Sequence, residues 1–371
     1  MKVRIAPKLL ADAIGWAARA LPARPVVPVL GGILVTASDT ADQVTVSAFD
    51  YDTSATVTIP ADTVTEPGKV LLPGQVLVNA VKKLPARDFV QIAAAEQEAM
   101  FEAGRAGFTL PLLPVGDYPA LPQPPAAVGT IDAADLKEAV SQVVAATAGA
   151  KPGKPMYAVI RLDGGGDMVT LAGTDSYRIA ARTIGWTATD GTVTAHIPAR
   201  TLNDLAKALP DGPVTIGLDN NLVSLTIGAQ TATVRLFGVD EYVNYQPRIT
   251  ANYPTWAIFD KNTLKEAVER VALFATNPGD ALILDFEDGT VHIQAGGDDH
   301  GKGADTVDVA LNGNTDPIRF RFQPQFLTDA INAIHTDQVR LGLRANNRPV
   351  LVTSDDEQQT FRHLVMPLRP E

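Results

Sequence analysis

Apolar residues recur at helical spacing in paired segments along the chain. Leu136, Val140, Val143 and Val144 fall on one helix face, as do Leu264, Val268, Val271 and Ala272. Both runs open on LKEAV, at Leu136–Val140 and at Leu264–Val268, and LADAI at Leu10–Ile14 is a near match. Asp132 and Asp260 stand just ahead, where a short acceptor side chain caps the free N–H groups of a helix start. A second helical pattern reads PGQVLVNAVKKL from Pro73, PARTLNDLAKAL from Pro198 and QPQFLTDAINAI from Gln323. Leu77, Leu202 and Leu327 hold the same slot in it, at a constant spacing of 125 residues. Proline is expected in the first turn of these helices, where its missing N–H costs nothing.

Between the helical segments the pattern changes to strict alternation. ILVTAS, QVTVSAF, DMVTLAG, LVSLTIG, TVHIQAG and PVLVTS are short runs rich in Val, Thr and Ile, separated by glycine turns. That pattern predicts antiparallel strands. The order helix, strands, helix, strands occurs three times. The expected fold is therefore α+β: three repeated domains, each with two helices packed on antiparallel sheet. Pro-rich connectors at Pro122–Thr130 and Tyr245–Pro254 set the expected boundaries, giving domains at 1–124, 130–250 and 255–371. Units of this size are too large for a solenoid. Three of them in series point to a pseudo-symmetric assembly that closes through a second copy.

Composition narrows the chemistry. The 371 residues include no cysteine, which excludes disulfides, thiolate metal sites and cysteine nucleophiles. The N-terminal segment is interrupted by Lys8 and Asp12 and lacks the apolar core of a signal peptide, and no stretch has the apolar length of a membrane span, so a cytoplasmic protein is expected. The net charge of −11 excludes a uniformly basic DNA wrapper. It leaves room for a small basic face on an acidic protein.

Four stretches carry a resemblance. ARPVVPVLGGILV (Ala23–Val35), FTLPLLPVGDYPALP (Phe108–Pro122), TLAGTDSYRIA (Thr170–Ala180) and HLVMPLRP (His363–Pro370) stand in the order and at the separations found in the β sliding clamp, the processivity subunit of bacterial DNA polymerase III. The resemblance spans the whole chain and has an actinobacterial flavour. It implies a ring that closes as a head-to-tail homodimer of six similar domains, with helices lining the hole and sheets outside. Such a ring encircles duplex DNA without reading sequence and has no catalytic activity and no cofactor. Its partners would be the polymerase III alpha subunit, the clamp loader and other clamp-motif proteins, held through a peptide-binding pocket between domains two and three.

The resemblance also assigns residues. Arg24, between prolines, and Lys151 and Lys154, in AAGAKPGKPMY, match positions that face the duplex. Their expected work is phosphate contact. Helix cations such as Lys82, Arg200 and Lys265 are interleaved with Glu138, Asp204, Glu266 and Glu269, so a weakly charged lining is expected. The pocket walls would be Tyr157, Thr174, Ser176, Tyr177, Arg178, Ile179, Arg248 and Pro349 with the tail Leu364, Val365, Met366, Pro367, Leu368 and Arg369. Arg178 would orient polar atoms of the ligand. Phe108 and Leu110, with Leu273 and Phe274, match the ring seam; the plain alternative is that they are core residues of their own domains. Two wall positions depart from the family: Val243 replaces a usual proline, and Pro247 replaces a residue with a backbone N–H. Pro247 is expected to hold Gln246 extended. Gly279 falls where some relatives carry an aromatic. These departures suit a specialised or antibiotic-resistance second copy that discriminates against bulky or cyclic ligands.

Other signals carry less. Asp298, Asp299, His300 and Asp305 gather in GGDDHGKGAD, but their spacing fits no metal-ligand pattern and a polar loop is expected. DGGGD (Asp163–Asp167) leads into a strand rather than a helix, which excludes a phosphate cradle. No catalytic triad motif occurs. The competing classes are a secreted β-rich repeat protein that binds ligands by its loops and an enzyme working in a domain cleft.

Overall fold

The computed structural model describes every residue except 86, 149–153, 190, 240, 278–279, 288, 298–300, 314–317, 346–347, 357–359 and 370–371. Seven α-helices are present among the described residues: α1 (Pro7–Ala17), α2 (Gly74–Val81), α3 (Ala133–Val144), α4 (Ala199–Ala206), the single turn α5 (Gln246–Ile249), α6 (Lys261–Ala272) and α7 (Pro324–Asn332). Apart from α5 they are the six helices of the repeat, two in each third. Leu77, Leu202 and Leu327 are all buried, so the common slot in the pattern is a core position. Asp260 caps α6, its carboxylate accepting the Thr263 N–H at 2.8 Å, and Asp132 accepts the Ala134 N–H at 2.8 Å. Proline sits one step earlier than expected in two copies. Pro73 and Pro198 are the last residues of strands and immediately precede α2 and α4, whereas Pro324 opens α7. The fixed φ of proline serves both the strand end and the turn into the helix.

The chain divides into two compact units that do not follow the repeat. One comprises Met1–Ala134, Thr187–Asp190 and Asp204–Leu236; the other comprises Asp135–Trp186, Gly191–Asn203 and Phe237–Glu371. The reason lies in the sheets. In the first unit a nine-stranded sheet joins four strands of the first third to five of the second, through antiparallel pairing of Gln230–Arg235 with Thr53–Pro60. In the second unit another nine-stranded sheet joins four strands of the second third to five of the last, through Arg178–Gly185 and Phe361–Val365. Each third thus supplies a five-stranded and a four-stranded portion. Two portions stay separate: a five-stranded sheet in the first unit that ends on Ala106–Pro111, and a four-stranded sheet in the second that ends on Gly301–Asp308.

Each unit has its own core. In the first, α1 packs on the strands Gln43–Phe49 and Thr53–Pro60, and Trp16 donates its indole N–H to the Thr56 carbonyl at 3.1 Å. In the second, α6 packs on α7 and on the strands Thr290–Gly297 and Gly301–Asp308. No described helix is long and apolar enough to cross a membrane.

Because Leu327 is fully buried, Leu327→Ala should lower stability by roughly 2–5 kcal/mol, read as a drop in the urea midpoint. Val76→Ala, on the exposed side of α2, should change it by less than about 0.5 kcal/mol. Equal effects would contradict the assignment of the repeat slot to the core.

Candidate functional site

The strand Met168–Thr174 ends in a tight turn, Thr174–Arg178, that the local sequence specifies closely. Asp175 accepts the N–H groups of Tyr177 and Arg178 at 3.0 and 3.1 Å, an Asx-type turn. Thr174, itself buried, donates its hydroxyl to the Arg178 carbonyl at 2.8 Å and accepts the Ser176 N–H at 3.3 Å. Ser176 takes a positive φ of 84°, a conformation uncommon outside glycine, held here by these side-chain bonds. Arg178 is only 8% exposed. Its guanidinium bonds Asp175 at 2.8 Å and Asp329 of α7 at 2.6 Å, and lies over the Phe326 ring at 4.4 Å. Tyr177 stacks on the same ring, and its carbonyl accepts the Met366 N–H at 2.9 Å.

A cavity of about 270 Å³ opens beside this turn. Ser176, Tyr177, Arg178, Ile179, Pro247, Arg248, Pro349, Leu364 and Met366 line it, together with Ala251, Tyr253, Arg344 and Arg348. Its floor rests on an apolar cluster of Ala172, Ile179, Ala181, Tyr245, Tyr253, Leu351 and Leu364. One wall is a strap of chain, Glu241–Tyr253, laid across the sheet. Tyr242 donates to the Ala172 carbonyl at 3.0 Å and Tyr245 to the Asp163 carboxylate at 2.9 Å. Asp163 also accepts from Arg161 at 2.7 Å and Thr194 at 2.8 Å, and these donors hold it below the ordinary carboxylate range against the desolvation that would raise it. Burial pushes the Tyr242 and Tyr245 hydroxyls well up, so both stay protonated donors. Gly342 lets the Tyr253 ring close over the sheet, since a Cβ there would stand 2.7 Å from it.

Nine of the residues read from sequence as pocket walls therefore converge. The others do not. Val365 is fully buried and belongs to the sheet core. Thr174 shapes the turn rather than facing the cavity. Val243 packs on the apolar cluster beneath the strap. Tyr157 is not among the lining residues and lies under the Lys154 ammonium at 5.7 Å. Past Met366 the tail turns away: Pro367 is buried, Leu368 donates to the Arg321 carbonyl at 2.7 Å, and the Arg369 carbonyl accepts from the Arg321 guanidinium. Arg178 also departs from its expected role, since two carboxylates already hold its guanidinium. Pro247 does not keep Gln246 extended. Gln246 is the first residue of α5 and Pro247 the second, where the absent N–H is one of the helix's free ones. Tyr253, Arg344 and Arg348 were missed, because nothing in their spacing marks them; only the strap and the strand register bring them to the cavity.

The remaining candidates are dispersed. Arg24 lies in an exposed stretch, Ala23–Pro28, and Lys154 is exposed. Leu273 is 74% exposed and Phe274 36%. Phe274 covers Gly301 and Gly303 at the edge of the four-stranded sheet. Phe108 stacks on Phe101 with centroids 4.7 Å apart, and Leu110 is 6% exposed, so both pack within their own unit. Lys265 pairs with Glu269 at 3.8 Å and Arg270 with Glu266 at 3.5 Å. Lys151, Gly279, Asp298, Asp299 and His300 lie outside the described residues. Asp305 is held by Arg270 at 2.8 Å, and no metal-binding cluster occurs among the described residues.

Three family models match in series: the N-terminal domain of the DNA polymerase III beta subunit over residues 1–122, its central domain over 130–240 and its C-terminal domain over 249–369. The chain belongs to the DNA polymerase III beta subunit family, the bacterial sliding clamps. It is 36% identical to the beta sliding clamp of Streptomyces coelicolor, over 100% of this chain and 99% of that one. It is 31% identical to the beta sliding clamp homolog GriR of Streptomyces muensis, with 100% and 99% covered. Its fold is similar to that of the Pseudomonas aeruginosa sliding clamp solved bound to griselimycin, with a TM-score of 0.91, 25% identity and both chains fully covered. As a sliding clamp it is a replication processivity factor, working with DNA and a polymerase, and its three clamp domains are the repeat read from the pattern.

Beside the pocket, His363 is fully buried, and burial with the nearby Arg178 charge drops its pKa from 6.5 to about 3. The native imidazole is neutral, whereas the unfolded chain takes up a proton near 6.5. The depressed value means full stability above about 6.5 and progressive loss as pH falls toward 3. Across that window the urea midpoint should fall more steeply for the parent than for His363→Leu. Identical slopes would assign the acid sensitivity to other groups.

Proposed function

We propose that two copies of this chain close head to tail into a ring around duplex DNA, each with three domains near 1–124, 130–250 and 255–371. We further assign the cavity beside Thr174–Arg178 to short peptides of the polymerase III alpha subunit, the clamp loader and other clamp-motif proteins. The observation that carries the ring is the division of the sheets. Both joins inside the chain pair a five-stranded portion with a four-stranded one. The two portions left over are again five- and four-stranded, and they end on Ala106–Pro111 and Gly301–Asp308. Pairing these strands between two copies repeats the internal join and satisfies two exposed sheet edges. Leu273, largely exposed, and Phe274 on the Gly301–Asp308 edge suit an apolar seam, with the half-buried Phe108 on the opposing strand. The pocket reading rests on the apolar floor with its adaptable Met366. A specialised or resistance copy is the second reading, favoured by Pro247 in the pocket wall and by the likeness to GriR.

Leu273→Asp should convert the dimer to monomer in size-exclusion with light scattering, by placing an unpaired charge in the seam. A variant that stays dimeric would put the seam elsewhere. The parent, loaded on nicked circular plasmid, should stay bound and be released on linearisation; retention on linear DNA would contradict encirclement.

Arg24→Ala with Lys154→Ala should weaken DNA binding alike on unrelated sequences and lower the slope of log affinity against log salt by up to about 2, one per lost phosphate contact. An unchanged slope would remove both residues from the DNA surface.

A further inference from the structure

The charge of the pocket rim runs against that of the chain. The sequence carries 42 acidic residues against 31 Lys and Arg, yet four of the thirteen lining residues are arginines and none is acidic. Arg178 is neutralised by Asp175 and Asp329. The other three have no ion-pair partner among the described residues. Arg248 comes from α5 on the strap, while Arg344 and Arg348 follow the strand Gln338–Leu343. Arg344 is fixed: it donates to the Asn252 carbonyl and lies 4.7 Å over the Tyr253 ring. Arg248 and Arg348 are exposed. Like charges brought together on separate segments raise the potential of one small surface, and an arginine fork suits a carboxylate.

We infer that this rim selects, among partner segments, those carrying aspartate or glutamate side chains beside their apolar anchors. The inference rests on the pocket reading and adds the charge of the ligand. Three guanidiniums from two sides favour several side-chain carboxylates over a single terminal one, which would engage only one fork. The anchors fill the apolar floor and provide most of the affinity. The rim acts on association and on discrimination between partners, as exposed charges at an interface edge do.

The test uses the full-length protein and fluorescein-labelled, C-terminally amidated peptides with the same leucine and phenylalanine anchors, flanked by two aspartates or by two asparagines. Fluorescence anisotropy should show the aspartate peptide binding about tenfold tighter at low salt, with the ratio shrinking at high salt. In the double variant Arg248→Gln, Arg348→Gln the ratio should fall to about twofold. Neither side chain has a polar partner among the described residues, so thermal unfolding should match the parent. Equal affinities for the two peptides on the parent would overturn the inference while leaving the pocket reading intact. An asparagine peptide with a free terminal carboxylate that matched the aspartate peptide would overturn the assignment to side chains. Absence of binding by every peptide would overturn the pocket reading itself.

Discussion

A strand at the edge of a sheet presents a row of N–H and C=O groups that must find partners or face water. In this chain that requirement fixes the architecture more firmly than the boundaries of the repeat. Each third ends its two sheet portions on strands that are edges within the third, and neighbouring thirds satisfy each other's edges by antiparallel pairing. The thirds are units of sequence, but each nine-stranded sheet belongs to two of them at once. That is why the compact units cut through the middle third instead of between domains.

The pocket inherits its position from one of these joins. Pairing of Arg178–Gly185 with Phe361–Val365 lays Leu364 and Met366 beside the Thr174–Arg178 turn. The strap then crosses the same sheet and is tied down at Tyr242 and Tyr245. Arg178 fastens the turn to α7 through Asp329, a charge pair largely removed from water whose net energy is small but whose loss would strand a buried carboxylate or guanidinium. Its role is geometric: it sets where the turn sits, while Arg248 and Arg348 on the cavity rim stay exposed.

Periodicity revealed the helices, their buried leucines and the Asp260 cap, because each depends on neighbours within a turn or two of sequence. The alternating runs revealed strands for the same reason. Which strands pair across the thirds was not legible, since pairing of Gln230–Arg235 with Thr53–Pro60 is a contact between distant segments with no local mark. The cavity lining was legible at Ser176–Ile179, where a motif runs continuously. It was misread where orientation alternates, as at Val365, which turns inward between two residues that face the cavity. Arg344 and Arg348 escaped notice because a charged residue after a strand usually signals nothing more than a solvated loop.

The join that carries the pocket has a consequence for biosynthesis. Arg178–Gly185 leaves the ribosome long before its partner Phe361–Val365, so the sheet beneath the pocket closes only when nearly the whole chain is available. Until then the strand waits with one edge unpaired and its apolar face uncovered, open to wrong pairings with other nascent chains. A chain cut short before Phe361 lacks Leu364 and Met366 and cannot complete the cavity beside the Thr174–Arg178 turn.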